Sequence, residues 1–148
     1  MKSLRDIETA VAALARHIGA SSQDLPTYGI SHDLGRPHVE VENVLYHYVV
    51  MERGEELERR STESYDELLY WIFSDVTHNL AFSYELRNRV EDQDCRRIAF
   101  PKQIELMKRI SSTMGTRLEG DIADILRRAP YDDEPTKALN RMRSSSSK

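Results

Sequence analysis

The amino-acid sequence predicts an α+β fold: a small antiparallel sheet of three strands, or four, packed against a long central helix, with N-terminal and C-terminal helices around it. Three observations carry this. Period-two alternation begins at His38 and lasts to about Arg60. A wide apolar stripe at helical spacing follows, through Leu68, Leu69, Trp71, Ile72, Val76, Leu80 and Phe82. One-sided helical patterns lie before the first of these and after the second.

Leu4, Ile7, Val11, Leu14 and Ile18 predict the first helix, because they share one face. Ser3 is a suitable cap with Asp6 three residues on, and Gly19 suits the stop. Residues 20–37 hold Pro26, Gly29, Gly35 and Pro37 and little periodicity, so they read as a loop with room for one short extended piece. Long irregular stretches often carry contacts. From His38 the segments "HVEV", "VLYHYVVM" and "EELERR", broken at Glu42-Asn43 and Arg53-Gly54, read as a three-stranded meander. Two registers are open. A two-residue turn at Arg53-Gly54 pairs Val50 with Leu57 and groups Tyr46, Tyr48, Val50 and Leu57 on one face. A three-residue turn with Gly54 in a bulge pairs Val49 with Leu57, so that Leu45, His47, Val49 and Met51 face the core and the tyrosines face solvent.

Ser64-Tyr65-Asp66-Glu67 forms a capping box for the central helix, which extends to about Arg89. After the loop "VEDQDC", a helix over 94–111 carries Ile98, Phe100, Ile104, Met107 and Ile110, with Asp94 as a possible cap. Pro101 either starts it late or kinks it. A last helix over Thr116 to Arg128 presents Leu118, Ile122, Ile125 and Leu126 and ends before Pro130. Residues 1–130 then form one domain and 131–148, ending in "SSSSK", a flexible polar tail.

The chain has 148 residues, 31% of them charged, and a net charge of −4. That balance lacks the basic field of a nucleic-acid binder and favours basic partners instead. The lone Cys95 excludes an internal disulfide and a thiolate zinc cluster, which fits a reducing compartment. "MKSLRDIETAVAALARHIG" is too charged for a signal peptide, and no run approaches the ~20 apolar residues of a membrane span. The expectation is a soluble cytoplasmic protein.

The search for chemistry yields little. His17, His32, His38, His47 and His78 show no metal-ligand spacing. His32 and His38 flank Asp33 and Gly35, a conceivable metal site, but loop histidines without fixed spacing more often bind only water. His47 would need an acid and a cleft to act as a base, and a half-exposed or satisfied strand histidine is the plainer reading. Asp75 on the apolar stripe reads as a catalytic acid or, more plainly, as the partner of an arginine or a tyrosine hydroxyl. Cys95 beside Arg96-Arg97 has no evident base. There is no G-x-G-x-x-G, Walker or G-x-S-x-G motif. No catalytic residue, metal ligand or cofactor is therefore expected. The acids are more clustered: Glu52, Glu55, Glu56 and Glu58 at the second turn, Glu91, Asp92 and Asp94 in a loop, and Asp132, Asp133 and Glu134 near the end. They read equally well as ordinary charged surface or as an acidic face for a basic protein.

The stretch "YHYVVMERGEELERRSTESYDELLYWIFSDVT", Tyr46 to Thr77, resembles the core of immunity protein family sixty-three of bacterial polymorphic toxin systems. "RPHVEV" and "DCRRIAFPKQIELM" resemble its flanking parts, so that the likeness spans roughly Leu25 to Pro130. Pro101 stands out inside a part expected to be helical. The resemblance implies a protein that binds a cognate toxin, usually encoded beside it, and that occludes the toxin's active or substrate-binding site or locks a toxin conformation. It implies no catalysis and no cofactor. Under that reading the expected partner contacts are Tyr46, Tyr48, Glu52, Arg53, Glu55, Glu56 and Glu58, with Asp92 and Asp94 beside them. The tyrosines serve as anchors only if the register turns them outward. Two other readings stand beside it: a small metal-dependent or histidine-based hydrolase using His32, Asp33, His38 or His47, and a homodimeric adaptor without a toxin.

Overall fold

Ser3 starts the first helix as its spacing predicts. Its hydroxyl accepts the Asp6 N–H, and the Asp6 carboxylate accepts the Ser3 N–H. The structure, a computed structural model, describes residues 1–146. The chain divides into two compact units, residues 1–76 and the residues from Thr77 onward, with the boundary inside one helix.

In the first unit, α1 (Leu4–Ala15) runs into a 3-10 turn that ends at Gly19, whose φ of 68° makes the left-handed stop. The loop after it supplies β1 (Thr27–Tyr28). Then come β2 (Leu34–Glu42), β3 (Leu45–Glu52), β4 (Glu55–Thr62) and α2 (Tyr65–Arg87). The sheet order is β1-β2-β3-β4, with β1 parallel to β2 and the other pairs antiparallel. The meander is thus as expected, with a short fourth strand added from the loop. Its first turn falls at Asn43-Val44, one residue later than predicted, with Asn43 left-handed at φ 54°. Tyr46 and Tyr48 lie on the α2 side of β3, and His47 and Val49 on the other. Ile7, Val11, Val39, Leu68, Ile72 and Phe73 are fully buried in this unit. Burying a side chain of this size is worth about 1.5–3 kcal/mol. Ser64 Oγ accepts the Glu67 N–H at 3.1 Å, as a cap should, while the Ser64 N–H donates to Thr62 Oγ1 at 3.0 Å.

In the second unit, the end of α2 is followed by α3 (Arg96–Ile110), α4 (Ser112–Arg128) and α5 (Glu134–Ser146). Ser111 alone joins α3 to α4; its hydroxyl accepts the Met114 N–H at 3.1 Å. Gly115 lets the pair close, because a Cβ there would lie 3.2 Å from the Lys108 Cα. Pro101 sits inside α3, which nonetheless starts at Arg96 rather than late. The Glu85 carboxylate, buried on α2, receives Arg89 at 2.9 and 3.1 Å. Residues expected to be a polar tail instead form α5: Asp132 accepts the Glu134 N–H at 3.0 Å, and helix-forming Lys137, Ala138 and Leu139 follow. The last two residues of the expected tail lie outside the described part. No helix among the described residues is long and apolar enough to cross a membrane.

Candidate partner-binding surface

The β3–β4 hairpin is built from its turn outward. Glu52 pairs with Glu55, so Arg53-Gly54 is a two-residue turn with both residues left-handed, at φ 53° and 77°. Glycine adopts that conformation freely, whereas arginine does so rarely. The register then slips: Met51 pairs with Glu56 and Val50 with Glu58, leaving Leu57 as the extra residue of a bulge. The two-residue turn was one of the two readings, but neither predicted pairing of Leu57 occurs. Instead of joining Tyr46 and Tyr48 on the inner face, Leu57 is 57% exposed.

Tyr46 and Tyr48 face inward, at 2% and 1% exposure. The Tyr46 hydroxyl accepts the Lys2 N–H at 2.8 Å, and its ring lies 6.2 Å from that of Tyr65. The Tyr48 hydroxyl donates to Asp75 Oδ2 at 2.8 Å. Burial, then the Asp75 charge, hold this phenol well above the ordinary tyrosine range. Asp75 is thus the partner of a tyrosine, with the Arg60 guanidinium 3.9 Å away. Arg60 lies over both the Tyr48 and Trp71 rings, at 5.2 and 5.0 Å. The root of the hairpin is therefore scaffold. Its tyrosines, expected as contacts, have no surface to offer a partner.

The tip differs. Glu52, Arg53, Glu55, Glu56 and Glu58 are all exposed. Glu56 pairs with Arg59, which also reaches Glu40 at 2.9 Å, and Glu58 pairs with Arg60 at 3.1 Å. Among the described residues, Glu52 and Glu55 form no ion pair, although they stand directly opposite each other, and Arg53 between them forms none either. Together with Leu57 these three line an open concavity of about 420 Å³.

Asp33 braces this tip. Both its carboxylate oxygens accept the Gly54 N–H at 2.8 Å, and its carbonyl accepts the Arg53 N–H at 3.3 Å. Sequence reasoning had offered Asp33 to a metal or a hydrolase and missed this role, since the contact spans 21 positions. Its only local signals are an aspartate before Leu34-Gly35 and a left-handed φ of 55°.

Asp92 and Asp94 belong to the second unit. Asp92 is exposed and accepts Asn140 Nδ2 at 3.0 Å. Asp94 is buried: its carboxylate accepts the Arg96 N–H at 2.9 Å, the Arg96 guanidinium at 2.8 Å and the Asp132 N–H at 3.0 Å. Those bonds, led by the one from Arg96, hold its carboxyl down to about 2. Arg96 also donates to the carbonyls of Ala129 and Pro130, both at 2.8 Å, and Arg97 pairs with Asp133 at 2.9 Å. Asp94 thus clasps the α4–α5 connection and is not a free contact residue.

The histidines find local partners. His38 Nε2 lies 3.0 Å from Glu40, and His32 Nδ1 lies 3.5 Å from the Arg36 guanidinium. His47 Nδ1 is 2.6 Å from Ser61 Oγ and its Nε2 3.5 Å from Glu42. That places a hydroxyl, an imidazole and a carboxylate in sequence, but the imidazole is buried in a strand, and the described cavities open elsewhere. Among the described residues, no three histidine, cysteine or acidic side chains could hold a metal ion. Burial, then the Glu85 charge, push the Cys95 thiol up, away from a nucleophile's range.

The family described as Immunity protein 63 matches residues 42–124. The matched part starts after "RPHVEV" and includes the hairpin, α2 and α3. No curated protein and no solved structure matches the chain. With more than half of its length matched, including the whole braced hairpin, the chain belongs to the immunity protein 63 family.

Proposed function

We propose that this chain neutralises the cognate toxin of a bacterial polymorphic toxin system in the cytoplasm by binding it through the tip of the β3–β4 hairpin. The bound tip occludes the toxin's active or substrate-binding site. The chain acts by occupancy, without catalysis or a cofactor. The observation that carries this reading is the pair Glu52 and Glu55: two exposed carboxylates directly across a ladder, without an ion-pair partner among the described residues, inside the family-matched segment. Like charges in that position destabilise a hairpin by a few tenths of a kcal/mol up to about 1 kcal/mol. A lysine or arginine of the partner would remove that repulsion on binding. Glu56 and Glu58, already paired, form the rim, and Arg53 sets which basic surfaces fit. Steering by such a rim raises the association rate and weakens with salt. A standard interface needs about 800 Å² from each partner.

The test uses the toxin encoded beside this chain's gene, inactivated in its own active site. The wild-type chain is expected to co-purify with it and to suppress the activity of the unmodified toxin. Replacing Glu52 and Glu55 by lysine should weaken binding at least about tenfold. Equal affinity of wild type and variant would remove the tip from the interface. A chain that self-associates and ignores the toxin would instead support the adaptor reading.

A further inference from the structure

The apolar anchors expected at this hairpin, Tyr46 and Tyr48, are buried, so an interface built on the tip needs its apolar contacts elsewhere. Charged rims mainly set rate and selectivity, whereas packed apolar anchors supply most of the affinity. Residues 29–35 carry such side chains. Leu34 is 82% exposed and Ile30 70% exposed, and Leu34 pairs directly with Glu52 in the β2–β3 ladder. Isolated exposed leucines are ordinary. These are not placed independently of the tip, because Asp33, next to Leu34, accepts both backbone N–H groups of the Arg53-Gly54 turn, one on its carbonyl and one on its carboxylate. Asp33 is itself held, its N–H donating to Ser31 Oγ at 3.0 Å.

We infer that residues 29–35 are the second half of the partner-binding surface: Leu34 is an apolar contact, Asp33 is the positioning residue that keeps loop and tip in register, and the occupant is a basic face of the same partner protein. This rests on the reading proposed above. The chemistry of the occupant follows from what surrounds Leu34. Its ladder neighbour Glu52 and, one strand further, Glu55 form no ion pair among the described residues, and the exposed Leu57 lines the same concavity as both. Lysine and arginine match such a mixture, because their aliphatic stems cover leucine while their charged ends reach carboxylates. The brace sets the tip before the partner arrives, so binding does not have to order it.

The experiment titrates the full chain against the inactivated toxin encoded beside its gene, with thermal melting and Gly54 amide exchange followed in parallel. Four variants are compared: Leu34→Ser, Asp33→Ala, Asp33→Asn and Glu55→Lys. Leu34→Ser should raise Kd about tenfold with an unchanged melting temperature, since the side chain is in solvent. Asp33→Ala should raise Kd comparably and speed exchange at Gly54, and Asp33→Asn, which keeps one acceptor oxygen, should recover most of the affinity. If Glu55→Lys weakens binding and Leu34→Ser does not, the surface ends at the hairpin and the inference is overturned. If Leu34→Ser weakens binding and Glu55→Lys does not, residues 29–35 contact the partner but the acidic tip and the basic occupant are overturned. If neither changes Kd, both fall.

Discussion

The hairpin tip and the turn before α3 carry acidic residues at similar density, and the fold uses them in opposite ways. Before α3, Asp94 is buried, accepts two backbone N–H groups and a guanidinium, and ties Asp132 to the helix start. At the tip, Glu52 and Glu55 face each other across a ladder in solvent and form no ion pair among the described residues. One acid ties two segments of the second unit together; the other two form a like-charge cross-strand pair, an arrangement that generally weakens a hairpin slightly. Acid clusters therefore differ by the partners they have found, which composition does not reveal.

The comparison can be broken first at Asp94. Asp94→Ala should destabilise the second unit by about 3 kcal/mol, because it takes the carboxylate from the buried side of the Arg96 guanidinium and leaves the Asp132 and Arg96 N–H groups without an acceptor. Chemical denaturation with a probe in α3 reads this; a loss below about 0.5 kcal/mol would return Asp94 to the class of surface acids. The same residue sets an acid response. Its bonds hold its carboxyl down to about 2 in the folded chain against 3.8 ordinarily, so its contribution is complete above about pH 5 and fades as the pH falls towards 2. Asp94→Asn should flatten that part of the stability profile.

Within the hairpin, root and tip should separate. Tyr48→Phe removes the hydroxyl bond to Asp75 and should cost about 1 kcal/mol of stability while leaving toxin affinity unchanged, as calorimetry of the free and bound chain would show. The smallest effect has the most informative sign. Glu55→Lys replaces a like-charge cross-strand pair with an opposite-charge one, so it should raise stability by up to about 0.5 kcal/mol at low salt. A drop in melting temperature would mean that Glu55 already has a stabilising role in the free protein.

Much of the fold was legible because its signals are local. Ser3 with Asp6, Ser64 with Glu67 and the alternation through "YHYVV" each specify an element within a few residues. The Leu57 bulge was not, because "EELERR" alternates no better in one register than another. The slip also explains why an inward leucine was expected and an outward one occurs. The α5 helix was obscured by the serine run at its end, although Asp132 two residues before Glu134 and Pro135 in the first turn are recognisable starting signals. Among the proposed contacts, Glu52, Arg53, Glu55, Glu56 and Glu58 are exposed where expected. The burial of Tyr46, Tyr48 and Asp94, and the brace from Asp33, depend on groups far along the chain, such as Asp75, Asp132 and Gly54.

The most direct measurement is a paired one on the Glu52→Lys, Glu55→Lys double variant: its melting temperature alone, and its affinity for the proposed cognate toxin in inactivated form. The account predicts a variant as stable as the wild type and bound at least about tenfold more weakly. Unchanged affinity in a folded variant would contradict it.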